Sequence, residues 1–226
     1  MAFKLYNFDN ALESNIALVK AIVSSLEKYL SFKDRVNLAF SGGKSPIDFL
    51  ELLSKEDCAW HRCNVSLVDE RIVDLNDENS NARLITTHFL KNLAQKSYFQ
   101  TYFENPNIAL DKLVCKANIY YQQPDIAILG MGLDGHTASL FCDAQEFQQA
   151  LKTHQNIVLM SPKNAPYKRL SMSLSALEKC KELFLSISTE EKLKVLNKAL
   201  EAIDPKLPIS YILHSKKVVC NVYFSK

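Results

Sequence analysis

The feature of this sequence that most constrains its fold is an apolar run ending in a glycine turn, DIAILGMGLDGHTASLF, at residues 125–141. The apolar residues at 126–129 are typical of a strand that is buried on both faces. Glycines follow, and glycine lets a ligand approach the backbone closely. In an open parallel sheet, Asp134 and His136 would then lie at the carboxyl edge, where such folds bind their ligands.

The same residues have a simpler interpretation, in which Asp134 and His136 are solvated side chains of a tight turn. A carboxylate two residues from a histidine within GxGxDGH is nevertheless more restrictive than a bare GxG motif. The residues that follow, at 137–141, predict the start of a helix, with Ser139 as a helix-start residue.

The composition is that of an ordinary globular protein with a sizeable core. Hydrophobic residues make up 47% and charged residues 23% of the 226 residues. The net charge of +2 does not indicate a nucleic-acid partner. No linker, low-complexity tract or repeat divides the chain, so we expect one α/β domain over residues 1–226. We also expect no signal peptide, no membrane-spanning segment and a cytoplasmic location.

Cysteine and histidine spacing gives no support for a metal site. Six cysteines are scattered without a CxxC pair, and the histidines show neither HxH nor HExxH spacing. We therefore expect reduced thiols and no bound metal.

Strands and helices alternate along the chain, which predicts an α/β fold with a mainly parallel sheet. The predicted strands lie at residues 36–40, 65–68, 126–129, 157–160, 170–174, 183–187 and 218–224. Helices are predicted at 47–53, from about Ser80, at 107–121, and at 190–202 with Thr189 as the N-cap. A long N-terminal helix is also predicted, with an apolar face of Leu12, Ile16, Val19, Val23, Leu26 and Leu30.

A second glycine turn, SGGKSP, follows the strand predicted at 36–40. Its residues Ser41, Gly42, Gly43 and Lys44 would precede a helix N-terminus, where free N–H groups and the helix dipole favour an anion. The spacing is not that of a Walker A loop. The motif is either a phosphate cradle or a plain strand-to-helix turn.

Charged residues follow two further predicted strands and begin one helix. Asp69, Glu70 and Arg71 form either a solvated strand exit or an ion-paired cluster that fixes the arginine for a substrate. Arg169 lies in a basic loop that either binds an acidic ligand or is simply solvated. Lys192 lies in the first turn of a helix, where a cation gains nothing from the dipole. It therefore indicates either a nearby ligand anion or a local pairing with a glutamate.

Four stretches together resemble the 6-phosphogluconolactonase family. They are SGGKSP at 41–46, DERIV with SNARLI at 69–73 and 80–85, GMGLDGHTASLF at 130–141, and KRLSMSL with STEEKLKVLNKAL at 168–174 and 188–200. The resemblance implies a Rossmann-like α/β fold, doubly wound, with a mainly parallel sheet and helices on both faces. That fold is shared with the glucosamine-6-phosphate deaminases. The implied activity is hydrolysis of 6-phosphogluconolactone in the oxidative pentose phosphate pathway.

Two positions depart from the pattern of that family. Lys44 and Ser45 stand where the family often has Ser-Thr, which bears on how the phosphate is held. Cys142 stands where the family usually has proline, and this change should affect only the path of the chain.

Lactone hydrolysis needs an activated water and a stabilised oxyanion. His136 is the natural general base, because imidazole titrates near neutral pH. Asp134 is close enough in sequence to orient that ring, and Arg71 is expected beside the lactone oxygen or the carboxylate product. A nucleophilic serine is not expected, since no GxSxG elbow occurs.

The phosphate of the substrate is expected to anchor the sugar ring away from the reacting bond. Arg169, Lys192 and the turn at 41–43 are the expected anchors, and Asp69 is also expected to bind substrate. No metal or organic cofactor is required. The expected partner is this small sugar-phosphate lactone, without nucleic acid or membrane, and the protein is expected to be a monomer or a small homo-oligomer.

Two other functions fit the same scaffold. An amino-sugar phosphate isomerase-deaminase shares the GxGxDGH core, but that family typically continues it with an Ala-Phe-Asn-Glu-Pro-like run, whereas this chain has ASLF at 138–141. It also tends to have an aromatic residue where this chain has Arg71. A sugar-phosphate-sensing regulator would usually carry a DNA-binding module, and none is expected here.

Overall fold

Ten strands, eight α-helices and two short 3₁₀ helices occur in the described part of the chain, which the computed structural model gives as residues 3–43 and 45–226. Lys44, one of the predicted binding residues, lies outside it. The strands are β1 (Phe3–Phe8), β2 (Val36–Phe40), β3 (Cys63–Leu67), β4 (Asp69–Arg71), β5 (Tyr98–Phe99), β6 (Ile126–Leu129), β7 (Ile157–Met160), β8 (Arg169–Met172), β9 (Glu182–Ser188) and β10 (Val219–Ser225). The helices are α1 (Ala11–Leu30), α2 (Ile47–Leu53), α3 (Asn81–His88), α4 (Leu110–Ile119), α5 (Phe147–Lys152), α6 (Leu174–Glu178), α7 (Glu190–Glu201) and α8 (Ile209–Leu213).

The main sheet has seven parallel strands in the order β1-β10-β9-β6-β2-β3-β5. From β2 the chain proceeds to β3 and β5 on one side. It then returns to β6, which pairs with the other side of β2, and continues to β9 and β10. The loops after β2 and β6 therefore diverge at a topological switch point, where such sheets open a crevice. The predicted doubly wound α/β fold is confirmed.

The sheet is covered on both faces, as its apolar strands require. In β6, Ile126 and Ile128 belong to one hydrophobic cluster, whereas Ala127 and Leu129 belong to a second. Helices α1, α2 and α3 contribute to the first cluster, and α4 to α8 contribute to the second. A strand alternates its side chains between faces, so these two clusters are the two faces of the sheet.

The long first helix buries a face that only partly matches its predicted face. Asn10 caps α1 by accepting a hydrogen bond from the Glu13 N–H at 2.9 Å. Leu18, Ile22 and Leu26 are fully buried, whereas Leu12 is 60% exposed. Ile16 is also exposed, and the predicted stripe was therefore wrong over the first turns. No helix within the described ranges is long and apolar enough to cross a bilayer.

Three local features differ from what the sequence predicted. Residues 137–141 do not start a helix but form turns, held in part by the Thr137 hydroxyl, which donates to the Gly130 carbonyl at 2.9 Å. Thr189 is the N-cap residue of α7, as predicted, but its side chain makes no cap hydrogen bond and its φ is 81°. Strand β1 was not predicted, because its edge position leaves it without a buried apolar run.

A small antiparallel sheet, β4-β8-β7, lies beside the main sheet and was also not predicted as a unit. It is joined to α3 by Glu70, which is 1% exposed. The Glu70 carboxylate accepts hydrogen bonds from the N–H groups of Arg71, Asn81 and Ala82 at 2.7–2.8 Å. The Ser80 hydroxyl donates a further bond at 3.1 Å. This carboxylate therefore ties the end of β4 to the first turn of α3.

Burial of Glu70 predicts a pH-dependent stability. Burial raises the pKa of Glu70 from 4.5 to about 7, although the N–H donors act to lower it. A raised folded-state pKa means that the stabilising contribution is complete below pH 4.5 and is lost as pH rises through about 7. Relative to Glu70→Gln, the wild type should lose up to about 3 kcal/mol of unfolding free energy across this interval.

Urea unfolding at a series of pH values measures this difference. Glu201→Gln, which changes an exposed carboxylate of α7, is the matched control and should show no pH-dependent difference from the wild type. A wild-type minus Glu70→Gln difference that stays constant with pH would show that Glu70 keeps the same charge in both states.

Candidate active site

A cleft of about 260 Å³ lies at the topological switch point. Its walls come from the loops after β2 and β6, from the small sheet, and from the end of β9 with the start of α7. The predicted site residues that line the cleft are Ser41, Gly42, Gly43, Asp69, Arg71, His136, Arg169 and Lys192. The structure thus brings residues from five separate parts of the chain to one place.

Asp134 does not line the cleft but contacts His136 from behind. The Asp134 carboxylate lies 2.5 Å from Nδ1 of His136 and also accepts the His136 backbone N–H at 3.2 Å. Partial burial acts to raise the pKa of Asp134, but the hydrogen bond and the charge of His136 lower it overall. The carboxylate is therefore ionised and accepts a hydrogen bond from the Nδ1–H of His136, which leaves Nε2 of the neutral imidazole as a proton acceptor.

The His136 imidazole lies so close to the backbone of Gly132 that only glycine fits at this position. A Cβ atom at Gly132 would lie 2.2 Å from Nδ1 of His136 and 2.4 Å from Oδ1 of Asp134. Any side chain there would displace the pair, so the glycine before the loop is what allows the carboxylate and the ring to approach.

Two arginines of the small sheet lie directly opposite each other. Arg71 of β4 and Arg169 of β8 are paired in the antiparallel register. Like charges at such positions repel, and each is a cation that would be stabilised by an anion between them. Burial lowers the pKa of Arg169; the charge of Asp69 opposes this shift, and the charge of Arg71 adds to it.

Arg169 carries a buried charge without an anionic contact. It is 6% exposed, and its Nη1 has no hydrogen-bond partner among the residues that the structure describes. None of the ion pairs among the described residues includes it. Arg71 is better satisfied, since its Nη1 donates to the Asn79 carbonyl at 2.7 Å. A buried unpaired cation is costly in free energy, so Arg169 is the group in this cleft that most strongly requires an anion.

Lys192 adds a second cation at another wall of the cleft. It lies in the first turn of α7 and is partly buried, and this burial lowers the pKa of its ammonium group. None of the ion pairs between described residues includes Lys192. The local glutamate pairing considered from the sequence is therefore absent from the described part of the chain.

Several buried polar atoms around the cleft have no partner within the described residues. They are Oγ of Ser41, Nε of Arg71, Oδ1 of Asn81 and Nη1 of Arg169. Buried polar groups in proteins are nearly always hydrogen-bonded. Both donors and acceptors are left over here, so a polar ligand with hydroxyl and anionic groups matches the cleft.

Asp69 accepts hydrogen bonds from two residues that were not predicted to belong to the site. The Ser139 hydroxyl donates to Oδ2 of Asp69, and the Asn81 amide donates to its backbone carbonyl at 2.7 Å. Ser139 is therefore not a helix-start residue. Both residues line the cleft. Their presence in the SNARLI and GHTASLF stretches was the available signal.

Phe141 is a third residue of the cleft that was not predicted. Its ring stacks on the His136 imidazole with centroids 4.0 Å apart. The Arg169 guanidinium carbon lies 4.6 Å from the same ring centroid. Nothing in an isolated phenylalanine distinguishes such a contact from ordinary core packing.

Metal ligands are not grouped anywhere in the described ranges. Across residues 3–43 and 45–226, no cluster of three or more histidine, cysteine, aspartate or glutamate side chains is arranged to hold a metal ion. The acidic and imidazole groups of the cleft are instead engaged in the contacts described above.

Comparisons with known proteins assign this architecture to a family. The profile described as glucosamine-6-phosphate isomerases/6-phosphogluconolactonase matches residues 10–220. A 6-phosphogluconolactonase of Helicobacter pylori is 46% identical, with 100% of both chains covered. One from Neisseria meningitidis serogroup A is 35% identical over 99% of this chain and 100% of its own. The crystal structure of a 6-phosphogluconolactonase from Shewanella baltica superimposes with a TM-score of 0.92 at 30% identity, covering 98% of this chain and 97% of that one.

The unpaired Arg169 predicts that inorganic phosphate binds the cleft. A ligand that binds only the folded state raises stability, by about 2.7 kcal/mol at 100 times its Kd. Phosphate should therefore raise the melting temperature of the wild type, and Arg169→Ala should abolish most of that rise. The comparison is made within each variant, with and without phosphate, so that any intrinsic change in stability is subtracted.

Lys168→Ala is the matched control, because Lys168 is the adjacent basic residue and is exposed. It should keep the phosphate-dependent rise. An equal rise in wild type and Arg169→Ala would remove Arg169 from the anion site.

Proposed function

The chain belongs to the family of glucosamine-6-phosphate isomerases and 6-phosphogluconolactonases, and we propose that it hydrolyses 6-phospho-D-glucono-1,5-lactone to 6-phospho-D-gluconate. This is the lactone-opening step of the oxidative pentose phosphate pathway. One observation carries the proposal beyond the family name: a carboxylate-oriented imidazole and a buried, unpaired arginine line one cleft of about 260 Å³. The first group suits water activation, and the second suits a phosphate.

Two cations hold the phosphate of the substrate in this proposal. Arg169 offers a buried guanidinium, and Lys192 offers a partly buried ammonium from another wall of the cleft. The turn at residues 41–43 also lines the cleft and contributes backbone groups, and Oγ of Ser41 has no partner among the described residues. Binding energy from the phosphate then fixes the lactone carbonyl relative to the water, which reduces the entropic part of the barrier.

His136 acts as the general base in the proposed mechanism. Its Nε2 accepts a proton from water while the water oxygen attacks the lactone carbonyl carbon. Asp134 holds the ring through Nδ1 and stabilises the imidazolium that results. The imidazolium then returns the proton to the ring oxygen as the carbon–oxygen bond breaks, and the product is a hydroxy acid that ionises in water.

Arg71 and Asp69 complete the proposed set of substrate contacts. Arg71 lines the cleft, its Nε has no partner among the described residues, and it would stabilise the oxyanion that develops on the lactone carbonyl. Asp69 is buried and oriented by Ser139 and Asn81, so its carboxylate is fixed as an acceptor for a sugar hydroxyl.

The isomerase-deaminase alternative is not favoured. The relatives at 46% and 35% identity, which cover 99–100% of the chain, carry the name 6-phosphogluconolactonase. After His136 the chain also lacks the carboxylate-bearing run of the isomerases, because Ser139 and Phe141 occupy this segment and contact other groups of the cleft.

The direct test of the function is acceleration of lactone opening. The lactone is generated from glucose 6-phosphate by its dehydrogenase, and acid release is compared with the spontaneous rate. The wild type should accelerate the reaction. A rate equal to the spontaneous one would overturn the proposed activity.

Replacement of the base should be the most damaging single change. His136→Ala should lower turnover roughly 10²- to 10⁴-fold at saturating substrate, the usual range for one proton-transfer group. Asp134→Asn should slow the reaction less, because it removes orientation and charge but leaves the base. In the wild type the rate should fall as pH is lowered, since only the neutral ring accepts a proton.

His154→Ala is the control, because His154 is an exposed histidine that does not line the cleft. It should leave turnover unchanged after the spontaneous rate is subtracted. A folded His136→Ala protein with near-normal turnover would rule out the proposed base.

A further inference from the structure

We propose that Phe141 is a positioning residue for the proposed lactonase reaction, on which this inference rests. Its ring contacts both the general base and the phosphate anchor, His136 and Arg169. It is 7% exposed and lines the cleft. A single aromatic ring thereby fixes the position of His136, which activates water, relative to that of Arg169, which binds the phosphate of the substrate.

The contact with His136 restrains the tilt of the imidazole ring, which the hydrogen bond to Asp134 does not fix. The Asp134 carboxylate holds Nδ1 at 2.5 Å, but a hydrogen bond tolerates tilting of the ring. The torsion that turns a histidine ring is broad rather than confined to sharp wells. The Phe141 ring stacks on the imidazole at 4.0 Å with planes inclined by 22°. Stacking fixes the plane of the imidazole and therefore the direction in which Nε2 points.

The Phe141 ring stabilises the Arg169 guanidinium, which has no carboxylate partner among the described residues. The guanidinium carbon lies 4.6 Å from the Phe141 ring centroid, within the range of a cation–π interaction. The face of an aromatic ring attracts a cation without neutralising it. Phe141 therefore holds the guanidinium in place while leaving its Nη1 donor available to a ligand.

The backbone around Phe141 is itself fixed, so the ring is a rigid support. Ala138 has φ of 50°, a conformation that alanine rarely adopts. The Phe141 N–H donates to the Ser139 carbonyl at 3.1 Å, and the Ala144 N–H donates to the Phe141 carbonyl at 3.2 Å. These bonds hold the segment in its turn conformation.

Phe141→Leu tests the role, because leucine retains apolar burial but has no flat aromatic face. On the phosphorylated lactone, kcat should fall about tenfold through misorientation of His136. The KM for the same lactone should rise about 3- to 30-fold through release of Arg169. On the unphosphorylated lactone, kcat should fall equally but KM should not change. Phe141→Tyr keeps the aromatic face and should remain within about twofold of the wild type.

Phe147→Leu is the matched control for a structural effect. Phe147 is equally buried in the core of the same side of the sheet but does not line the cleft. It should lower the melting temperature without changing either kinetic constant. If Phe141→Leu does not fold, Phe141→Met, which also lacks the flat face, replaces it in the same comparison.

The double variant Phe141→Leu with Arg169→Ala shows whether the KM effect acts through Arg169. No further rise in KM for the phosphorylated lactone is expected on the Arg169→Ala background. The proposal would be overturned if the double variant showed the full further rise in KM. It would also be overturned if Phe141→Leu raised KM equally for both lactones, or if its kinetic constants matched those of Phe147→Leu. If the wild type itself fails to accelerate lactone opening, the proposed function fails first, and independently of Phe141.

Discussion

The buried guanidinium of Arg169 is the constraint on which the rest of the site depends. It lies opposite Arg71 in the small sheet and has no ion-pair partner within the described residues. Removing a cation from water without pairing it is unfavourable. The face of Phe141 and the more distant charge of Asp69 offset part of this cost. The part of the desolvation free energy that stays uncompensated favours the binding of an anion. The cleft is therefore arranged to select a phosphorylated substrate before the substrate binds.

The fold brings this cation and the His136 imidazole to one cleft by combining two sheets. The parallel sheet supplies the switch point between β2 and β6, and therefore the glycine turns and the Asp134–His136 pair at its carboxyl edge. The antiparallel sheet β4-β8-β7 supplies the arginines, because β4 follows β3 directly and extends past that edge. Glu70 joins β4 to α3, and Asn81 at the start of α3 in turn holds Asp69. The arrangement of the cleft thus depends on the contacts between the small sheet and α3 as much as on the two sheets themselves.

Sequence reasoning succeeded where the structure is governed by local pattern. The apolar run at 126–129 and its glycines predict a buried strand that ends at a site, and His136 and Asp134 are indeed together. It failed where distant pairing decides the outcome. The register that sets Arg71 opposite Arg169 leaves no local signal. Residues 137–141 have a helix-like sequence but form turns, because bonds to Gly130 and Asp69 outweigh local propensity. The single-domain organisation and the roles of the individual site residues stay predictions.

The central claim is that a buried unpaired arginine anchors the substrate phosphate. The most direct test compares the preference for the phosphorylated lactone between the wild type and a variant. The quantity is kcat/KM for the phosphorylated lactone divided by that for the unphosphorylated lactone, with spontaneous opening subtracted, in wild type and in Arg169→Ala. Loss of a charged hydrogen bond costs about 1.5–3 kcal/mol, so the ratio should fall about 10- to 100-fold in the variant. The unphosphorylated lactone alone should be little affected. Equal losses on both lactones would contradict the account, because Arg169 would then support the site as a whole rather than the phosphate.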